Sequence, residues 1–228
     1  MSDDHPSRLV GKDDAFVIST LDGSNTIFSK SFNASYHSLN GAVSESRHVF
    51  IEHGLKMLTQ DGIFILEMGF GTGLNAFLSF LFSEKNNIDI NYTGLELHPI
   101  NGALAHELNY PSYLASAQWS DVFFKMHERN SFNQNHFHFR KVETLDQLDP
   151  SQKFDCIFFD AFAPSVQPEL WEEKVFTHIY SLTKAGGYLV TYCAKGEVRR
   201  RLIRAGFEVK RLPGAPGKKE MIQAFKTS

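Results

Sequence analysis

The strongest chemical signal in the sequence is a glycine-rich turn, LEMGFGTGLN, at residues 66–75. It follows an apolar run that predicts a buried strand and opens a predicted helix, the setting in which such turns bind ligands. Its glycines let the backbone turn sharply and approach a ligand closely. The G-x-G-x-G spacing differs from the G-x-G-x-x-G of a dinucleotide turn, and the Gly-Lys-Ser/Thr of a P-loop is absent. The alternative is a structural turn without a ligand. The candidate binding residues of this turn are Gly69, Phe70, Gly71, Thr72, Gly73 and Asn75.

Acidic residues stand at the ends of successive predicted strands. Glu67 would repel a pyrophosphate, but it suits a positively charged ligand such as the amino group or sulfonium of S-adenosylmethionine. Glu96 ends the next strand, where a carboxylate can accept hydrogen bonds from both ribose hydroxyls of a nucleoside; the alternative is a solvated side chain. Val142 and Glu143 end the third strand, where they either contact the edge of an adenine or form an ordinary loop.

The segment FDCIFFDAFAPSVQPELW, residues 154–171, begins with a predicted apolar strand, and Asp160 is the last residue of that strand. Methyl transfer from a sulfonium is an in-line displacement in which an attacking amine gains positive charge. A carboxylate aimed at that nitrogen would stabilise the charge and could accept a proton. Asp160 is therefore the candidate catalytic residue, unless it only caps the turn. Phe162 could pack on a flat base, or it could be a core residue.

From Gly62 onward, strand-like and helix-like segments alternate. The predicted strands are GIFILEM, DINYTGLEL, HFHFRKV, FDCIFFD, GYLVTYC, FEVKRL and KEMIQAF. Predicted helices lie at about 74–82 and 100–108, and within PSYLASAQWSDVFFKMHERN, PELWEEKVFTHIYSLT and EVRRRLIRAG. This alternation predicts a Rossmann-like α/β fold with a mostly parallel sheet, helices on both faces and an antiparallel C-terminal edge hairpin. Ligands bind such sheets at the carboxyl ends of the strands.

The sequence divides into two predicted parts. Residues 1–60 are expected to form a small extension packed on this core, and residues 61–228 are expected to form the ligand-binding domain. The extension begins with two strands around a turn at Asp22-Gly23. A helix is expected within GAVSESRHVFIEHGLKML, with Phe50, Ile51 and Leu55 facing inward.

The composition excludes several classes of protein. With 228 residues, 42% of them hydrophobic, the chain needs neither disulfides nor metals for its core. Cys156 and Cys193 lie in predicted strands, so we expect buried, reduced thiols. There is no Cys-x-x-Cys pair, and His136 and His138 alternate with phenylalanines as on one polar strand face, so no metal is expected. The polar, acidic N-terminus is unlike a signal peptide and no apolar stretch could span a bilayer, so we expect a cytoplasmic protein.

Basic residues are concentrated near the C-terminus, although the formal net charge is -3. The stretch 195–219 holds nine basic residues and two acidic ones, Glu197 and Glu208. Such a local excess predicts a docking surface for phosphates, and the alternative is a solvated helix face. The candidate substrate-binding residues of this stretch are Lys195, Arg199, Arg200, Lys218 and Lys219.

Taken together, the motifs resemble the MnmC-like tRNA methyltransferases. The resemblance runs from about Gly23 to the C-terminus and rests on YHSLNGAVSESRHVFIEHGL, LEMGFGTGLN, FDAFAPSVQPELW, TYCAKGEVRRRLIRAGF and PGAPGKKEM. The glycine turn is general to class I methyltransferases, whereas DAFAP with AKGEVRRRL and GKKEM is far more specific. The resemblance implies methylation, by S-adenosylmethionine, of the 5-aminomethyl group on the wobble (2-thio)uridine of tRNA.

The resemblance also implies roles for individual residues. Asp160 matches the acid that the family places against the substrate amine. The implied cofactor contacts are Gly69, Gly71, Gly73 and Glu96, with Tyr36 and Glu45 from a stretch that lies over the cofactor. Long family members carry an FAD-dependent oxidase domain after the methyltransferase. Because this sequence stops just past its last predicted strand, we expect no FAD and a precursor supplied by another enzyme.

Three other functions remain open at this point. The first is a methyltransferase or aminopropyltransferase acting on a small free amine. The second is a nicotinamide-dependent oxidoreductase, which the glycine spacing disfavours. The third is a non-catalytic RNA-binding module. The fold alone does not separate these functions, and the sequence does not give the oligomeric state.

Overall fold

The apolar runs of the sequence form two sheets in the computed structural model, which describes residues 14–227. The strands are β1 (Ala15–Ser19), β2 (Asn25–Ser29), β3 (Ala34–Ser35), β4 (Ile63–Met68), β5 (Ile90–Leu95), β6 (Ser131–Gln134), β7 (Phe137–Val142), β8 (Phe154–Phe159), β9 (Thr183–Thr191), β10 (Glu208–Pro213) and β11 (Glu220–Phe225). The first three form one sheet and the other eight form the second.

The larger sheet has the order β10-β11-β9-β8-β4-β5-β7-β6. Its five central strands pair in parallel, and antiparallel strands close both edges. The chain leaves β4 for β5 on one side and later returns to β8 on the other, so the switch point lies between β4 and β8. The predicted Rossmann-like fold and its terminal hairpin are confirmed. Strand β6 was not predicted, because its sequence SFNQ is short, polar and half exposed.

Alternate side chains of the central strands build a core on each face of the sheet. Ile63 and Ile65 of β4 join one cluster, whereas Leu66 and Met68 join the other. All six residues of β8 are buried, as expected for a strand covered on both faces. The first cluster is rich in phenylalanine, and the second includes the fully buried Trp171. Both cysteines are free and buried, as the sequence predicts.

Helices cover the two faces of the sheet. They are α1 (Ala42–Ser46), α2 (Leu74–Asn86), α3 (Gly102–Glu107), α4 (Tyr110–Tyr113), α5 (Ser120–Glu128), α6 (Glu173–Leu182) and α7 (Gly196–Arg204). Helix α2 extends past the predicted end near residue 82. The sequence prediction stopped early because the last turn of the helix is polar. The helix ends where Asn87 adopts a left-handed conformation. The long helical segment predicted after α3 is broken into α4, a 3-10 turn and α5, because Ala115 has a positive φ.

The N-terminal sheet is attached to the larger unit by hydrogen bonds and packing. The hairpin of β1 and β2 forms as predicted, with its turn at Asp22-Gly23. Helix α1 continues as a π-helical stretch, Arg47–Glu52, and the three apolar residues predicted to face inward from this region are buried. Asn25 N–H donates to Asn109, and Tyr113 donates its hydroxyl to Asp22 O at 2.7 Å. A domain boundary near residue 60 stays a prediction.

The part of the chain that the structure describes contains neither a membrane-spanning helix nor a cluster of metal ligands. No helix among residues 14–227 is long and apolar enough to cross a membrane. Within the same residues, no group of three or more His, Cys, Asp and Glu side chains could hold a metal ion. His136, just before β7, is hydrogen-bonded to Asp89, and His138, within β7, is hydrogen-bonded to Asn133.

The carboxylate of Asp22 ties the hairpin turn to the start of α1. One oxygen accepts from the Ser24 N–H at 3.0 Å and from the Thr20 hydroxyl at 2.8 Å. The other accepts from the N–H and hydroxyl of Ser44 at 2.9 and 2.7 Å. Burial alone would raise the pKa of Asp22, but the hydrogen bonds from Ser24 and Ser44 outweigh it and lower the pKa below 3.8.

Replacing this carboxylate should destabilise the fold. We expect Asp22→Ala to lower the free energy of unfolding by about 1–3 kcal/mol, because buried N–H donors lose their acceptor. The pKa is lower in the folded state, so this stabilisation is complete above the unfolded pKa and is lost as the pH falls through the folded value. Urea unfolding at pH 7 and pH 3 measures both effects. Asp61→Ala, at an exposed turn, is the control, and equal effects of the two variants at pH 7 would contradict the assignment.

Candidate active site

A cavity of about 280 Å³ opens at the carboxyl ends of the parallel strands, on both sides of the switch point. The loops after β4, β5, β7 and β8 and the N-terminal extension supply its walls. Its lining residues are Phe32, Tyr36, Met68, Gly69, Gly71, Leu95, Glu96, Leu97, His98, Glu143, Thr144, Leu145, Asp160, Ala161, Phe162, Gln167, Glu169, Leu170 and Val175. The cavity therefore lies where a Rossmann-like sheet binds its ligand.

The glycine turn brings the ends of β4 and β8 together. Gly69 has a φ of 89°, and a Cβ there would lie 2.8 Å from the backbone oxygen of Asp160. Gly71 has a φ of 50°, and its Cβ would lie 2.9 Å from the ring of Tyr36. Both positions therefore require glycine for conformation and for space. Gly73, also at positive φ, precedes the first residue of α2.

Glu96 is fixed at the cavity wall by two backbone donors. Its Oε2 accepts from the N–H of Gly71 at 2.8 Å, and its Oε1 accepts from the N–H of His98 at 2.8 Å. Each carboxylate oxygen can accept a further hydrogen bond. Glu96 is therefore placed to bind a vicinal diol while it holds the glycine turn against β5.

Asp160 is held at the cavity by Asn75. The Asn75 amide donates to Asp160 Oδ2 at 2.8 Å, and the same nitrogen donates to Glu67 Oε1 at 2.9 Å. Burial raises the pKa of Asp160 well above 3.8 and the nearby charge of Glu45 adds to the rise, while Asn75 and Lys218 oppose it. Glu67 is fully buried and does not line the cavity, so it lies behind the site that the sequence assigned to it.

Three aromatic rings form the outer wall of the cavity. Phe162 packs against Phe32 with ring centroids 4.8 Å apart and edge-on against Tyr36 at 4.9 Å. The backbone of Phe162 is held by Trp171, whose indole N–H donates to its carbonyl at 2.7 Å. Burial and the charge of Glu96 raise the pKa of Tyr36, so its hydroxyl stays neutral. Phe162 is thus a wall residue and not a core residue.

Glu45 and Lys218 pair with each other beside this cavity. Glu45 is buried, accepts from the Ser38 N–H at 2.9 Å and forms an ion pair with the Lys218 ammonium. That ammonium also lies 3.9 Å from the centroid of the Tyr192 ring. Tyr192 donates its hydroxyl to Ala161 O at 2.9 Å, next to Asp160. The two residues that the sequence assigned to cofactor and substrate therefore form one internal ion pair, and neither lines the cavity.

The remaining predicted cofactor residues divide into one wall residue and three supports. Glu143 lines the cavity. Phe70 and Thr72 are buried behind the turn, where Phe70 packs on His127 and Thr72 accepts from the Tyr110 hydroxyl. Val142 is buried too, and its carbonyl accepts from the Glu96 N–H at 2.9 Å.

The predicted basic residues other than Lys218 lie on the surface. Lys195, Arg199, Arg200 and Lys219 are exposed, and among residues 14–227 no acidic side chain forms an ion pair with any of the four. Other basic residues of the stretch are used internally, as when Arg201 donates to Trp171 O at 2.9 Å. The four exposed residues are called the basic surface below.

Sequence reasoning missed several wall residues. Leu97 and His98 directly follow Glu96, so the rule that ligands bind just after a strand could have found them. Phe32 and Gln167 carry no such signal, because the tertiary fold brings them to the cavity from a turn and from the loop after β8.

Comparison with known proteins identifies the class of enzyme. Residues 114–227, half of the chain, match the family described as S-adenosyl-L-methionine-dependent methyltransferase. The chain belongs to this family. S-adenosylmethionine is therefore the cofactor, as the glycine turn and the acidic strand ends predicted. The cavity fits that cofactor, because Glu96 can accept from the ribose hydroxyls and because the glycines leave space that a Cβ would fill.

Individual proteins of known name are similar to most of this chain. The "tRNA 5-methylaminomethyl-2-thiouridine biosynthesis bifunctional protein MnmC" of Pseudomonas putida (strain W619) is 30% identical over 216 residues, which is 85% of this chain and 32% of that protein. MnmC of Azoarcus sp. (strain BH72) is 31% identical, over 87% of this chain and 34% of that protein. These matches confirm the resemblance predicted from the motifs. The chain spans about a third of the length of these relatives.

Solved enzyme structures share the fold. MnmC2 from Aquifex aeolicus superposes with a TM-score of 0.68 at 22% identity, over 92% of this chain and 70% of that one. Spermidine synthase from Thermotoga maritima has a TM-score of 0.56 at 12% identity, over 93% of this chain and 68% of that one. The fold is thus common to enzymes with different group-transfer chemistry.

Removing the Glu96 carboxylate should weaken cofactor binding. We expect Glu96→Ala to raise the Kd for S-adenosylmethionine at least about tenfold, because each hydrogen bond to a charged group contributes about 1.5–3 kcal/mol. Isothermal titration calorimetry measures the Kd, and thermal unfolding without ligand verifies the fold. Glu128→Ala, at the exposed end of α5, should leave the Kd unchanged. A folded Glu96→Ala variant with the wild-type Kd would contradict this role.

Proposed function

We propose that this methyltransferase converts the 5-aminomethyl group of the wobble (2-thio)uridine in tRNA to 5-methylaminomethyl. The observation that carries the proposal is that one carboxylate oxygen of Asp160 is held by a hydrogen bond while the other is open to the cavity. Its Oδ2 is held by Asn75, whereas its Oδ1 has no hydrogen-bond partner among residues 14–227 and is not enclosed. A carboxylate oxygen is thus open at the cavity that holds the cofactor turn. The name of the MnmC relatives, which refers to 5-methylaminomethyl-2-thiouridine in tRNA, supports the choice of acceptor.

In the proposed reaction, Asp160 aligns and stabilises the acceptor amine. The neutral amine nitrogen attacks the methyl carbon of the sulfonium. The S–CH3 bond breaks as the N–CH3 bond forms, and its electron pair stays on sulfur, which leaves S-adenosylhomocysteine. Positive charge develops on nitrogen, where a nearby carboxylate stabilises it. The raised pKa of Asp160 makes it a better base for the proton that the product ammonium releases.

The cofactor is proposed to lie along the loops after β4, β5 and β7. Gly69 and Gly71 give the close approach, and Glu96 binds the ribose. Glu143 is placed to contact the adenine edge, and Tyr36 covers the turn from the N-terminal side. Among the predicted cofactor residues, Glu67, Phe70, Thr72, Asn75, Val142 and Glu45 act from behind the cavity wall.

The acceptor nucleotide is proposed to enter past Phe162 and the basic surface. The Phe162 ring at the cavity wall offers a face on which a base can stack. Lys195, Arg199, Arg200 and Lys219 supply exposed positive charge for the tRNA backbone. Lys218, which pairs with Glu45, is assigned to the electrostatics around Asp160 and not to phosphate binding. A cytoplasmic location stays a prediction from the sequence.

Loss of the Asp160 charge should abolish turnover and spare the cofactor. We expect Asp160→Asn to lower kcat at least about 10²-fold, because the acceptor loses its carboxylate, with the Kd for S-adenosylmethionine within about threefold of wild type. The wild-type rate should fall as the pH drops through the raised pKa of Asp160, and the variant should lack this acidic limb. Transfer of labelled methyl to tRNA from cells lacking the protein, followed by nucleoside mass spectrometry, measures the reaction.

The outcomes of this assay separate the candidate functions. A methyl group gained on the wobble aminomethyl uridine supports the proposal, and Asp61→Asn serves as the matched variant outside the site. Full activity of Asp160→Asn would contradict the role of Asp160. No transfer to tRNA, with cofactor binding intact and transfer to a small free amine, would show a small-molecule methyltransferase instead.

The basic surface should make tRNA binding sensitive to salt. We expect Arg199→Ala to weaken tRNA binding and to reduce the slope of log K against log salt concentration by about 0.7–0.9, since one phosphate contact and its counterion release are lost. Fluorescence anisotropy with tRNA from 50 to 300 mM KCl measures the slope. Lys85→Ala, exposed near the end of α2, is the matched control. Equal slopes for both variants and wild type would contradict this docking surface.

A further inference from the structure

One buried amide joins two carboxyl groups at the heart of the site. Asn75 lies in the first turn of α2 and is 2% exposed. Its Nδ2 carries two N–H groups, and the two acceptors at 2.9 and 2.8 Å are Glu67 Oε1 and Asp160 Oδ2. Both donors of the amide are therefore used, one on each carboxyl group.

The Glu67 end of this chain is sealed from solvent. Glu67 is 0% exposed, and its second oxygen is buried against the Tyr92 hydroxyl, which is buried as well. Burial raises the pKa of Glu67 well above 4.5, which favours a neutral carboxylic acid there. The buried Glu67 carboxyl group gives the Asn75 amide a fixed acceptor, and its raised pKa disfavours a second negative charge behind Asp160.

The Asp160 end, in contrast, faces the cavity. Asp160 lines the cavity and is only partly buried, and its Oδ1 is accessible. A free carboxylate on a strand end could rotate about its side-chain torsions, but the bond from Asn75 selects the orientation in which Oδ1 points outward. Placement errors of about 1 Å can cost roughly 10²-fold in rate, so this orientation matters for catalysis.

We propose that Asn75 is a positioning residue for methyl transfer: its amide, anchored on Glu67, fixes the Asp160 carboxylate with Oδ1 directed at the acceptor amine. This inference rests on the proposed function of Asp160. It assigns to Glu67 a role through Asn75, in place of the direct contact with the cofactor that the sequence suggested. It also explains why an asparagine follows the glycine turn at the start of α2, two residues after Gly73.

Variants of both residues test the proposal through turnover. We expect Asn75→Leu to lower kcat about 10–100-fold while the Kd for S-adenosylmethionine stays within about threefold. Glu67→Leu should also lower kcat, whereas Glu67→Gln keeps an oxygen that accepts from Asn75 and should retain at least about ten times the kcat of Glu67→Leu. Asn86→Ala, at the exposed end of the same helix, is the control and should match the wild type.

A titration of Asp160 gives a readout that a merely structural role would not move. The hydrogen bond from Asn75 lowers the Asp160 pKa, so its loss should shift the titration of the labelled carboxyl carbon, followed by 13C NMR, to higher pH in Asn75→Leu. The acidic limb of kcat/KM should shift in the same direction. In Asn75→Leu the buried Glu67 loses the amide that donates to it, which disfavours folding. The double variant Glu67→Leu with Asn75→Leu removes this buried acid as well and should show the same titration shift.

The two readouts separate this inference from the proposed function. A folded Asn75→Leu variant with wild-type kcat and an unmoved Asp160 titration would overturn the inference. Equal losses in Glu67→Gln and Glu67→Leu would overturn the anchoring role of Glu67. Absence of methyl transfer to tRNA by the wild type would overturn the proposed function, and the NMR titration, which needs no tRNA, would still decide the link between Asn75 and Asp160.

Discussion

The site depends on the close approach of the Gly69 backbone to the end of β8. A Cβ at Gly69 would lie 2.8 Å from the backbone oxygen of Asp160, so the two loops meet only because that position is glycine. The Asp160 N–H donates to Met68 O at 2.9 Å and continues the parallel ladder to this point. Helix α2 begins directly after this turn, and its Asn75 amide reaches Asp160. Backbone geometry at one residue thus places the cofactor turn and the catalytic carboxylate together.

Charge is arranged around this contact so that Asp160 stays reactive. Burial and the negative charge of Glu45 raise the Asp160 pKa, and the Asn75 amide and the Lys218 ammonium limit the rise. Lys218, which pairs with Glu45, belongs to the loop that joins β10 to β11. The C-terminal hairpin therefore contributes to the site electrostatically as well as to the sheet edge. Its exposed basic neighbours, such as Lys219, remain available to a polyanionic substrate.

Much of the fold and part of the site follow from the sequence, and the rest depends on tertiary contacts. The alternation of apolar strands with helices predicts the parallel sheet, and the position of Glu96 and Asp160 at strand ends predicts that both line one cavity. Local sequence does not show that Glu67 is buried behind Asn75, that Glu45 pairs with Lys218, or that Phe32 reaches the wall. Strand β6 escaped prediction because it is polar and lies at the sheet edge, where burial does not constrain its pattern.

The central claim is that Asp160 Oδ1 faces the acceptor amine, next to the methyl group that is transferred. The most direct test is a crystal structure with sinefungin, an analogue of S-adenosylmethionine that carries an amine in place of the methylsulfonium. The account predicts that the adenosine ribose binds Glu96 and that the sinefungin amine lies within about 3–5 Å of Asp160 Oδ1. Asp160 Oδ2 should still accept from Asn75. An amine directed away from Asp160, or a ligand that does not contact Glu96, would contradict it.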